Sequence, residues 1–144
     1  MPIETQPDST RTMRIAGAIG MLAVAFIHLL DTPGKLTETP YLGFMYIGLI
    51  IASTATAIAL YTNFRTRSAW IAAGILAAST FIGYCLSRTT GLPQATEDIG
   101  NWTEPLGLAS LIVEASVVMV ALGQLVPKKR EPHFELAFRQ ESEA

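Results

Sequence analysis

Four blocks of apolar residues govern what this chain can fold into. They cover about 13–30, 41–62, 69–87 and 104–126. At about 1.5 Å per helical residue, the last three span the roughly 30 Å of a hydrocarbon core. The first is long enough when it starts near Met13. A backbone in lipid must satisfy its own hydrogen bonds, so blocks of this length predict helices. Half of the residues are apolar and only 15% are charged. The apolar residues fall in runs rather than at amphipathic intervals, which excludes an ordinary soluble domain. The expected fold is an all-α membrane protein with four transmembrane helices in two hairpins. A polar arm (1–12) precedes the bundle (13–126), and a charged tail (127–144) follows it.

The first block could be mistaken for a secretory signal. Its leader, MPIETQPDSTRTMR, is mixed in charge, and the apolar stretch ends in His28-Leu-Leu-Asp31-Thr-Pro33 with no Ala-x-Ala site. A retained helix is therefore expected. Lys and Arg favour the cytoplasmic side of a bilayer. Arg11 and Arg14 precede the first block, Arg65 and Arg67 lie between the second and third, and Lys128, Lys129, Arg130 and Arg139 follow the fourth. Only Lys35 and Arg88 fall on the other side, so eight of the ten basic residues share one face. Both termini are expected in the cytoplasm, with two longer loops, 31–40 and 87–104, facing outward. So uneven a distribution also argues against dual-topology insertion.

The single cysteine, Cys85, cannot form an internal disulfide, which excludes paired-cysteine redox chemistry. His133 lies in the tail, leaving His28 as the one membrane histidine, so a bis-histidine haem has too few ligands. No GxGxxG, P-loop, HExxH, CxxC or DxxD signature is present. No catalytic residue is assigned, and the chain is not expected to be an enzyme or to bind nucleic acid.

The approaches to the second and fourth blocks are alike: Thr37-Glu38-Thr39-Pro40-Tyr41-Leu42-Gly43 and Thr103-Glu104-Pro105-Leu106-Gly107. Both have a Thr suited to capping, a Pro in the first turn and a carboxylate near the positive end of the helix dipole. Duplication of one hairpin and convergence of two helix starts explain this equally well. Small-residue pairs, Ala16/Gly20, Ser53/Ala57, Gly74/Ala78 and Ser79/Gly83, occupy single helical faces and predict close helix packing. Trp70, Tyr41 and Trp102 are placed to anchor the bundle at the membrane interfaces.

The residues able to carry chemistry gather toward the outward end. Glu114 stands inside the fourth block, where a carboxylate costs about 2.5 kcal/mol or more and so needs a partner, a proton or a role. A stripe through Glu104, Gly107 or Leu108, Leu111 and Glu114 allows a polar path down that helix. Glu114 falls near mid-membrane and His28 is read as shallower. His28, Glu38, Glu104 and Glu114 are the candidate ion or metal ligands; His with carboxylates suits a divalent transition metal, although no resident cofactor is predicted. Asp31, Arg88 and Trp102 are expected to organise the outer loops, Arg88 through a surface pair with Glu104 or Asp98. Lys128, Lys129 and Arg130 are placed to hold anionic lipid, with Phe134 and Phe138 in a segment suited to a protein partner.

These features together resemble a group of uncharacterised four-helix integral membrane proteins of bacteria, especially actinobacteria. The likeness rests on His28, on Thr39-Pro40-Tyr41-Leu42-Gly43, on Gly83-Tyr84-x-Leu86-Ser87-Arg88-Thr-Thr-Gly91-Leu92-Pro93, on Asn101-Trp102-x-Glu104-Pro105-Leu106-Gly107 and on Glu114. It covers the four helices but not the tails. The resemblance implies a bacterial cytoplasmic membrane and the topology described above, and it implies no activity.

Two kinds of function fit. In the leading one, the chain is a noncatalytic accessory or scaffold subunit, packed on other membrane subunits or on a second copy. In the alternative, His28 and the glutamates form an outward-facing site for a proton or metal cation in a small transporter or metal-delivery protein.

Overall fold

The computed structural model describes residues 9–127. They form four helices: α1 (Ser9–Glu38), α2 (Pro40–Tyr61), α3 (Thr66–Thr89) and α4 (Pro105–Leu125). Each is long and apolar enough to cross a membrane. The heaviest packing is within the pairs α1–α2 and α3–α4, giving two hairpins. Contacts of α1 with α4 and of α2 with α3 close the ring, and the α2–α3 seam is the thinnest of the four. One end of the bundle carries the short α2–α3 turn, and the opposite end carries the α3–α4 loop.

The segment 31–40, expected as an outer loop, is instead helical as far as Glu38. Pro33 removes one backbone donor but does not end the helix. Thr32 Oγ1 donates to the His28 carbonyl at 2.6 Å in the same turn. Helix α1 stops only before Pro40, whose ring excludes the α conformation at Thr39, found at φ −143° and ψ 77°. Thr39 is thus the single residue between α1 and α2. Pro40 and Pro105 both open helices, as expected, but neither helix receives a side-chain capping bond. The Thr39 hydroxyl turns instead toward the Gln94 carbonyl, 3.4 Å away.

The half of the bundle nearest the α2–α3 turn is tightly filled. Met21, Leu60, Trp70, Ala73, Ala77, Val117 and Ala121 pack there with almost no exposure. Small residues make this close approach of the helix backbones possible. Gly17 lies beneath the Trp70 ring, where an added Cβ would also meet Leu60 Cδ1 at 3.2 Å. An added Cβ on Gly74 would touch Ala121, and Ser53 and Ala57 are buried. Trp70, expected at the membrane interface, is therefore a core residue. The half nearest the loop is built differently and contains a cavity.

Candidate functional site

The cavity has a volume of about 480 Å³ and is bounded by all four helices and the α3–α4 loop. Ile27, Leu42, Leu49, Leu76 and Leu106 make much of its wall apolar. Its polar groups come from one face of each helix. On α4 that face runs through Gly107, Ser110 and Glu114, at i, i+3 and i+7. Of the stripe expected through Glu104, Gly107 or Leu108, Leu111 and Glu114, the cavity takes Glu104, Gly107 and Glu114, whereas Leu108 is exposed and Leu111 does not line it.

Glu114 is almost wholly buried, only 1% exposed. Its Oε1 accepts a hydrogen bond from Ser110 Oγ at 2.6 Å, one turn earlier on α4. Its Oε2 accepts no hydrogen bond in this geometry among the described residues, although Thr80 on α3 stands beside the carboxyl. Thr80 lines the same cavity but gives its hydroxyl to the Leu76 and Ala77 carbonyls. His28 Nε2 stands 3.9 Å from Glu114 Oε1. His28 Nδ1 lies 2.9 Å from the Val24 carbonyl, which can only accept, so Nδ1 carries the proton of that bond. Nε2 is then the nitrogen that can gain or release a proton toward the cavity. The Tyr46 ring packs edge-on against the imidazole, with centroids 4.8 Å apart, and fixes its plane.

A network of ion pairs closes the loop end. Arg88 is buried rather than at the surface. Its Nη1 lies 2.7 Å from Asp98 Oδ1, and its Nη2 pairs with Glu104. Its guanidinium also lies over the Tyr84 ring, 4.8 Å from the centroid, and Trp102 packs edge-on against Tyr84. Lys35 Nζ reaches Asp98 at 3.3 Å. Tyr41 adds a hydrogen bond to the Pro93 carbonyl at 2.7 Å. The loop is thereby tied to α1, α2, α3 and the start of α4.

Burial opposes ionisation of Asp98, but the hydrogen bond from Arg88 and the positive charges of Lys35 and Arg88 outweigh it. The carboxyl is held below its ordinary 3.8. A group whose value is depressed by folding stabilises the folded state fully above its ordinary value. That contribution is lost as pH falls through the lower value of the folded loop. The loop should therefore stay closed at neutral pH and loosen only below pH 3.8. Trp102 fluorescence in a Trp70→Phe background should report the transition, and Asp98→Asn should diminish it.

Of the four candidate ligands, the structure brings His28 and Glu114 together. Glu104 sits at the rim in the grip of Arg88, and Asp31 lines the cavity between. Glu38 does not line it; its carboxylate is mostly exposed and pairs with Lys35 at 3.5 Å. Among the described residues no three His, Cys, Asp or Glu side chains are grouped to hold a metal ion. Lys128, Lys129, Arg130, Phe134 and Phe138 lie outside the described residues. Sequence reasoning passed over Ser110, Tyr46 and Lys35. The spacing of Ser110 from Glu114, one helical turn, was the available signal for the first.

No family model matches this chain. Neither a curated protein nor a solved structure matches it.

Proposed function

We propose that this chain is a multi-pass protein of the bacterial cytoplasmic membrane whose cavity binds a small ligand by a positive or hydrogen-bond-donating group. The supporting observation is Glu114, almost wholly buried, with one carboxylate oxygen unpartnered in a cavity of ligand-binding size. Arg88 and Lys35, the two basic groups of the cavity, are already engaged by Asp98 and Glu104. Glu114 Oε2 remains to receive a cation or donor, and His28 Nε2 stands 3.9 Å from the other carboxylate oxygen.

This reading is preferred to an accessory subunit because Gly20, Ser53, Ala57 and Gly74, which suggested docking, pack within the bundle, although Ser79 and Gly83 do not. It is preferred to a divalent metal site because His28 and Glu114 stand without a third ligand among the described residues. The cavity faces outward and both termini are cytoplasmic, a reading supported by the charge bias of the sequence and by its resemblance to bacterial four-helix proteins.

Two measurements test it. Native mass spectrometry of the full chain from mild detergent should find a small molecule with a basic or donor group on the wild type and not on Glu114→Gln. Equal retention by both would refute a binding role for the carboxylate. In a Cys85→Ser background, a cysteine at Glu97 should react with an impermeant thiol reagent in intact cells, and one at Arg67 should resist it. The reverse pattern would invert the orientation.

A further inference from the structure

The cavity walls are unequal. On the α1 and α4 side, His28, Ser110 and Glu114 are buried and form a sealed surface. At the loop end the cavity is covered by the Arg88, Asp98 and Lys35 network and by the Tyr41 bond to Pro93. At the turn end lies the close-packed core. The remaining side is the seam between α2 and α3. There Met45, Gly48 and Ser79 line the cavity and are also exposed on the flank of the bundle, Met45 by 63%.

Two glycines widen this seam. Gly48 on α2 and Gly83 on α3 both border the cavity, and an added Cβ at either position would meet nothing within 4 Å. Helix packing therefore does not require them to be glycine, and glycine disfavours a helix relative to alanine. The absent side chains leave a slot open between α2 and α3, the thinnest of the four seams.

Resting on the binding reading above, we infer that the slot between α2 and α3 admits a lipophilic amine from the bilayer, its apolar chain lying between Met45 and Gly83 and its ammonium group meeting Glu114. A slot in the flank of a membrane bundle opens to acyl chains, so its ligand must dissolve there. The apolar wall then accommodates the chain. The head group follows from the charges: Glu114 and Asp31 attract an ammonium, an alcohol offers one donor without charge, and a carboxylate is repelled. The expected order is amine, alcohol, carboxylate.

The full chain, reconstituted in phosphatidylcholine vesicles, is exposed to three diazirine probes with the same long alkyl chain, one ending in a primary amine, one in a hydroxyl and one in a carboxylate. Cross-linked peptides are mapped by mass spectrometry. The amine should label the α2 and α3 residues bordering the slot about tenfold more than the carboxylate, and Glu114→Gln should remove that preference. Gly48→Leu/Gly83→Leu should reduce labelling inside the cavity about tenfold. Gly123→Leu, at another helical glycine with open space, should leave it unchanged. Ser79→Trp, narrowing the slot from an exposed position, should act like the glycine pair and guards against a folding defect particular to them. Cavity labelling that survives both slot variants but is lost in Glu114→Gln would overturn lateral access and leave the binding reading intact. Labelling of the wild type with no preference for the amine, unchanged in Glu114→Gln, would overturn both.

Discussion

Replacing Arg88 with methionine should destabilise the bundle by about 2–3 kcal/mol and release the α3–α4 loop. Methionine keeps most of the apolar stem and removes the charge. Asp98 then loses the guanidinium 2.7 Å away, and its carbonyl loses the 3.3 Å bond from the same nitrogen. Glu104 loses its partner as well. Stripping one member from a fully buried ion pair costs about 3–5 kcal/mol. The smaller figure applies because Glu104 is about a third exposed and water can replace part of what it loses. Lysine should recover only part of the loss, since an ammonium cannot span two carboxylates as the planar fork of arginine does. Thermal unfolding in detergent should show the order wild type, Arg88→Lys, Arg88→Met, and limited proteolysis should open the loop in the same order.

Glu114→Leu should have the opposite effect on stability and raise it by about 1–2 kcal/mol. The wild-type carboxyl has one oxygen bonded to Ser110 and the other without a partner among the described residues, in a helix that is apolar on either side. Leucine is of similar length and carries no polar atom that needs a partner. Ser110 loses its carboxylate acceptor, but a helical serine can turn its hydroxyl to the carbonyl one turn back, as Ser116 does to Ile112 at 2.7 Å. A residue kept for binding at the expense of stability behaves in this way. A residue kept as structural glue does not.

The four helices were legible because unbroken apolar runs long enough to cross a bilayer predict helices. Their ends were less so. Pro33 and Gly34 looked like a loop, yet a proline removes only one hydrogen bond, and α1 continues to Pro40, where the ring does constrain its neighbour. That extension also moved His28. Read as lying near its helix end, it instead stands ten residues before Glu38, about 15 Å down the helix. Glu114 stands nine residues beyond Pro105, about 13 Å down α4. The two therefore meet at one depth. Glu114 itself announced its importance, since a lone acidic residue in an apolar run is rarely indifferent. The ring of Arg88, Asp98, Lys35 and Glu104 was only half visible, because pairing across 63 residues between Lys35 and Asp98 depends on how the loop folds back. Trp70 went into the core because Gly17, on another helix, leaves room for its ring.

The central claim is that Glu114 serves a ligand and not the bundle. Its most direct test is the melting temperature of ligand-free wild type against Glu114→Leu in one detergent. The expected result is a higher value for the leucine variant. A clearly lower one would contradict the claim and make the carboxyl a structural hydrogen-bonding group.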